Sequence, residues 1–222
     1  MLHKNPFMKK LIVEFIGTFF LVFTIGGAVA SGSAIAPVAI GAALMVMVFA
    51  GGHISGAHYN PAISLAILIR GRITMVEMLQ YWIAQLLGGL LGAVASHLVT
   101  GLEASINMAP QVDISPSMPV LAEVLGTFAL AYVVLNVATS KNTAGNSYYG
   151  LAIGFTVTAM AIALGGISGG AFNPAVGIGR NLADSIVGEG GNITHVWIYI
   201  VGPLVGGSMA AITFKFLNPD DK

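Results

Sequence analysis

The sequence has no cysteine, which excludes disulfides, thiolate metal sites and cysteine nucleophiles. Charge is nearly as scarce. Only 8% of the 222 residues are charged and the formal net charge is zero, so the chain encodes no basic face for nucleic acid. What it has instead is apolar bulk: 56% hydrophobic residues, 29 glycines and a mean hydropathy of +0.86, a composition foreign to soluble domains. It reads as an integral membrane protein whose first partner is membrane lipid. Spans of about 20 residues leave room for six, and glycine at this level predicts close packing of helices through small residues.

Leu11 to Ala30 is the first predicted span and Ile35 to about Gly52 the second. Gly51 to Tyr59 is too glycine-rich and polar to continue a lipid-facing helix, so a loop folded back into the protein is expected there. Asn60 to Ile69 then reads as a half-helix, because Asn is a favoured N-cap and Pro a favoured first helical residue. Further spans are predicted at Val76–Val99, Val120–Thr139, Tyr148–Leu164 and Ile193–Phe216, and a second half-helix at Asn173–Asp184. Tyr81, Trp82, Trp197 and Tyr199 read as interfacial aromatics. Lys9-Lys10, the first apolar run and Ala28-Val29-Ala30 resemble a signal peptide, but that run is span-length and recurs later in the chain.

The recurrence is ordered. Glu14-Phe-Ile-Gly-Thr-Phe matches Glu123-Val-Leu-Gly-Thr-Phe, the Asn60-Pro61-Ala62 segment matches Asn173-Pro174-Ala175, and Ala84–Gly89 aligns loosely with Gly202–Gly207. These matches predict one domain over residues 1–222, duplicated as about 1–100 and 119–222 and joined by a loop of about 100–118. Three spans per half is an odd number, so the halves enter the membrane from opposite sides as an inverted repeat. Lys4, Lys9, Lys10, Arg70, Arg72, Lys141, Lys215 and Lys222 fall on one predicted side and Arg180 alone on the other, which places both termini in the cytoplasm. Glu103, Asp113, Asp184 and Glu189 then belong to the outer rim, as does the joining loop.

Inverted symmetry brings the N-termini of the two half-helices together near the midplane, each with roughly half a positive charge from its dipole. Asn60 and Asn173 can each cap their own helix through the side-chain oxygen and keep the NH2 to donate. A water or hydroxyl on that path accepts from both, while the field repels cations. Unpaired carbonyls around Gly56, His58 and Gly169 supply acceptors. Glu14 and Glu123 are acids inside spans, read as acceptors that brace the loops, with proton coupling as the functional alternative. Nothing here forms a nucleophile, a metal cluster or a phosphate cradle, so no catalysis, cofactor or metal is expected.

The doubled Ser-Gly-Gly/Ala-x-x-Asn-Pro-Ala segments, Ser55–Ala62 and Ser168–Ala175, together with the doubled Glu-x-x-Gly-Thr-Phe, resemble the major intrinsic protein family, the aquaporins and glycerol facilitators. The resemblance covers practically the whole chain. It implies an all-α membrane fold of six transmembrane helices and two re-entrant half-helices in a right-handed bundle. It also implies a homotetramer with one passive pore per protomer for water and small neutral solutes.

One position departs from that pattern. Most of the family has an arginine directly after the second triplet, where this chain has Val176. Gapless counting puts Ile40, Ala161 and Gly170 at the other filter positions, which predicts a wide, weakly polar filter. Water, glycerol, urea, ammonia and undissociated metalloid acids are the expected solutes. Arg180, one turn beyond Val176, either restores a charge at the vestibule or pairs with Asp184 at the membrane surface, and the surface pair is the expectation. An ion- or proton-coupled transporter is the other functional reading, since inverted repeats with broken helices also serve there. Compact loops and short termini predict a prokaryotic plasma (inner) membrane.

Overall fold

The computed structural model describes residues 6–106, 108–111, 115–190 and 193–221, so Lys4, Asp113 and Lys222 lie outside the described residues. Eight α-helices are described: α1 Pro6–Ala30, α2 Ala36–Ser55, α3 Pro61–Arg70, α4 Met75–Thr100, α5 Ser117–Val134, α6 Tyr149–Ser168, α7 Pro174–Val187 and α8 Val196–Leu217. All but α3 and α7 are long and apolar enough to cross a membrane, with α5 continued by a π-turn over Leu135–Thr139. The fold is all-α with six spans.

α3 begins at Asn60, whose backbone is extended and whose side chain accepts from Ala62 N at 2.9 Å, and it ends at Gly71 with φ 83°. α4 opens on a reciprocal capping box between Thr74 and Glu77. The glycine-rich runs correct the sequence reading. α2 continues through Gly51 and Gly52 to Ser55, and α6 through Gly165 and Gly166 to Ser168, so the loops shrink to residues 56–60 and 169–173. Inside a bilayer an unwound residue strands its backbone groups, so a helix persists until a turn is unavoidable. Gly56 at φ 89° and Gly169 at φ 90° make those turns.

α1 packs on α4 and α5 on α8 as equivalent pairs, while α2 crosses to α6 between them. The half-helices are exchanged: α3 packs on α8 and α7 on α4. Their approach is close because Gly207 lies against the Ala62 carbonyl and Gly89 against that of Ala175. Ile12, Ile16, Phe20, Ile83, Leu87 and Leu121 are exposed on the outside of the bundle, where lipid receives them.

The start of α1 and the end of α8 lie on one side, here termed the terminal side. There the Arg70 guanidinium lies 2.6 Å from Asp221 Oδ1 and stacks on the Phe214 ring at 4.8 Å, and Lys141 N donates to Asp221 Oδ2 at 3.0 Å. Asp221 thus ties the end of α3 to the segment between α5 and α6. Burial works against its charge, but the Lys141 N–H and Arg70 outweigh it and hold the carboxyl below the usual aspartate range. A depressed native pKa means that the clasp is complete above the ordinary value of about 4 and is lost as pH falls through the depressed one. Asp221→Asn is therefore expected to leave the spans intact and to speed tryptic cleavage after Lys141 at neutral pH. An unchanged cleavage rate would assign the hold on this segment to its own bonds, such as Asn146 Nδ2 to Val137 O at 2.7 Å.

Candidate functional site

Asn60 and Asn173 stand at the junction of the halves. Each side-chain oxygen accepts from a backbone N–H of its own helix, Ala62 N or Ala175 N, at 2.9 Å. One N–H of each amide crosses to the other half, Asn60 Nδ2 to Phe172 O at 2.8 Å and Asn173 Nδ2 to Tyr59 O at 2.9 Å. An amide nitrogen carries two hydrogens, so one donor per Asn is left for the path rather than the whole NH2.

The loops behind them bend through unfavourable backbone. Ala57, Tyr59 and Phe172 are non-glycine residues at φ 52°, 51° and 47°. Buried carboxylates hold that shape. Glu14 accepts from Ser55 Oγ, His58 N, Tyr59 N and Gln85 Nε2, all within 2.6–3.0 Å. Glu123 accepts from Ser168 Oγ, Ala171 N and Phe172 N within 2.6–2.9 Å. Tyr81 and Tyr199, read from sequence as interfacial, are instead fully buried, and their hydroxyls donate at 2.7 Å to Ser55 O and Ser168 O. A buried phenol needs such a partner. The sequence held a signal for them, because the alignment that pairs Gly88-Gly89 with Gly206-Gly207 also pairs Tyr81 with Tyr199.

Three cavities run in line through the bundle. On the terminal side, about 850 Å³ is bounded by Gly56, His58, Arg72, Tyr81 and Lys141, among others. The middle lumen is small, about 30 Å³, and is lined by His58, Asn60, Asn173, Ile40, Gly170 and Val176 with aliphatic neighbours. On the opposite side, about 360 Å³ is lined by Ile40, Ala161, Gly169, Gly170 and Arg180. Shared lining residues join the three. Among the described residues, no donor is bonded to the carbonyls of residues 56–58 or 169–171, which leaves these oxygens for the path.

Val176 and Gly170 therefore sit on the lumen wall, Ile40 at its outward end, and Ala161 in the cavity beyond. Val157, one turn from Ala161 on α6, joins the lumen and was not singled out from sequence. Arg180 departs from the expected surface pair. It is 3% exposed, lines the 360 Å³ cavity and donates to Ala104 O at 3.0 Å, a partner on the segment folded over it after α4.

Comparison with known proteins fits this geometry. The family model for the major intrinsic protein matches residues 1–214. The chain is 36% identical over 221 residues to "Glycerol uptake facilitator protein-like 6" of Lactiplantibacillus plantarum, covering 96% of this chain and 100% of that one. It is 36% identical over 225 residues to "Aquaporin NIP1-1" of Zea mays, covering 98% of this chain and 77% of the relative. In shape it is similar to the X-ray structure of the aquaglyceroporin from Plasmodium falciparum, with TM-score 0.86 at 23% identity over 96% of this chain and 98% of the other. The paired Asn caps on the lumen agree with those matches, and the chain belongs to the major intrinsic protein family, as a transmembrane channel for small solutes of the water and glycerol kind and not an enzyme.

Proposed function

We propose that this channel has an arginine-free filter and passes neutral solutes larger than water, among them glycerol, urea, ammonia and undissociated metalloid acids. The carrying observation is the wall itself: between the Asn pair and the outward cavity stand Ile40, Val157, Gly170 and Val176, with no charged side chain among the described residues there. The lumen is narrow at about 30 Å³, so breadth must come from its material. Its aliphatic side chains offer a solute's carbon backbone apolar contact, where a guanidinium would set a fixed, charged donor. Arg180, one turn outward, supplies a charge at the vestibule without occupying the filter.

The same reading places the termini in the cytoplasm of a plasma (inner) membrane, because Lys10, Arg70, Arg72, Lys141 and Lys215 gather on the terminal side and Arg180 lies opposite. It also assigns inverted repeats of about 1–100 and 119–222, and a homotetramer with a pore in each protomer.

Stopped-flow light scattering on proteoliposomes, with a panel of these solutes, tests the filter. Flux of water and of at least glycerol or urea, linear in concentration, is expected. Water flux with every larger solute excluded would end the wide-filter reading. Saturation at low concentration, or dependence on a proton gradient, would favour a coupled transporter instead.

A further inference from the structure

The two loops are braced alike, yet the first half carries three polar side chains that its counterpart lacks. By the alignment of the halves, His58 corresponds to Ala171, Ser64 to Gly177 and Gln85 to Pro203. Glu123 holds its loop with three bonds and no glutamine, and Phe172 still takes nearly the backbone angle of Tyr59. Bracing alone does not call for the extra trio.

The trio is a directed chain. Gln85 is fully buried with Nε2 at 2.8 Å from Glu14 Oε2, and since that carboxylate only accepts, the nitrogen of the amide must face it. The second N–H of Nε2 reaches Ser64 Oγ at 2.9 Å. Ser64, also fully buried, accepts there and must place its own hydroxyl hydrogen elsewhere. Among the described residues, the acceptor within reach is His58 Nδ1 at 3.0 Å. An accepting Nδ1 carries no hydrogen, so in a neutral imidazole the hydrogen sits on Nε2.

His58 Nε2 has no protein partner among the described residues, and the ring lines both the lumen and the terminal-side cavity. The Tyr81 ring meets it edge-on at 5.0 Å and holds its plane. We propose that Glu14, Gln85 and Ser64 form a relay that fixes His58 as the Nε2–H tautomer, making it a third lumen donor on the terminal side of the Asn pair. A passing hydroxyl then receives from His58 while giving to a carbonyl of residues 56–58. Gln85 and Ser64 are positioning residues, acting through His58. The proposal rests on the channel assignment and is independent of the filter's width.

Nitrogen-15 NMR of full-length protein in lipid, with labelled histidine, reads the tautomer directly, and the His58 signals are assigned by their loss in His58→Asn. Wild type is expected to show an unprotonated Nδ1 and a protonated Nε2. Ser64→Thr keeps the hydroxyl and is expected to keep both the tautomer and the flux. Ser64→Ala is expected to shift His58 toward Nδ1–H and to lower water permeability about three- to tenfold, the worth of one hydrogen bond along the path. A wild-type Nδ1–H overturns the relay without any variant, as does a Ser64→Ala protein whose tautomer is unchanged. A tautomer that shifts with no change in flux overturns the role in conduction. A panel that passed only water would leave each of these results readable.

Discussion

Glu14→Leu is expected to yield little folded protein, and whatever is recovered is expected to conduct water at least about tenfold less than wild type, a barrier rise of about 1.4 kcal/mol. The substitution strands four donors, Ser55 Oγ, His58 N, Tyr59 N and Gln85 Nε2, in a site with no exposure. A buried donor without a partner costs about 1–3 kcal/mol. Two of the four are backbone N–H groups that no rotamer can redirect. The same bonds hold Ala57 and Tyr59 at positive φ, where a non-glycine residue costs about 1–3 kcal/mol and persists only when its surroundings fix it. Relaxation of the loop would move Tyr59 O, the acceptor for Asn173, so damage at Glu14 reaches the cap of the other half.

Glu123→Leu strands three donors rather than four and should act in the same direction with a smaller effect. Thermal unfolding followed by size-exclusion recovery ranks the two. If Glu123→Leu proved the more damaging, the bracing account would be wrong in its energetics. Glu14→Gln gives a separate reading of role. Under bracing it lowers stability and flux together, whereas under proton coupling it would spare stability and abolish response to a pH gradient.

The helix starts were legible because their chemistry is local. An Asn whose oxygen caps the next turn, followed by proline at the first helical position, needs no tertiary context, and both half-helices begin within one residue of the expected place. The ends of α2 and α6 were not legible from composition, since glycine reads as a breaker until the requirement to pair backbone in lipid is weighed against it. At Gly51 the reason is tertiary: a Cβ would strike the Tyr59 hydroxyl and Val13. Arg180 was out of reach for a similar reason. Helical spacing gives the face it occupies, one turn from Val176, but its carbonyl partner Ala104 sits far away in sequence on a segment whose path no periodicity describes. Gln85 and Ser64 were hidden by their ordinariness. Only the comparison of halves, where Pro203 and Gly177 stand in their places, marks them as additions to the shared scaffold.

Val176→Arg is expected to cut glycerol and urea permeability by about tenfold or more, equivalent to about 1.4 kcal/mol of added barrier, while water still passes. Val176 lines a lumen of about 30 Å³ together with Ile40 and Gly170, so an added guanidinium has no free volume to enter without narrowing the path. It does have partners. The carbonyls of residues 169–171 take no donor from the described residues, and an arginine there would be held by them rather than swing aside. Water can exchange bonds with a fixed donor in single file, but a solute with a carbon backbone must also fit past it. Val176→Ala is the complementary change and should raise the larger fluxes by removing two methyl groups from the wall. The pair separates size from charge: if alanine widened the pore but arginine left glycerol and urea unaffected, the constriction would lie elsewhere, with the outward cavity around Ala161 and Arg180 the next place to substitute.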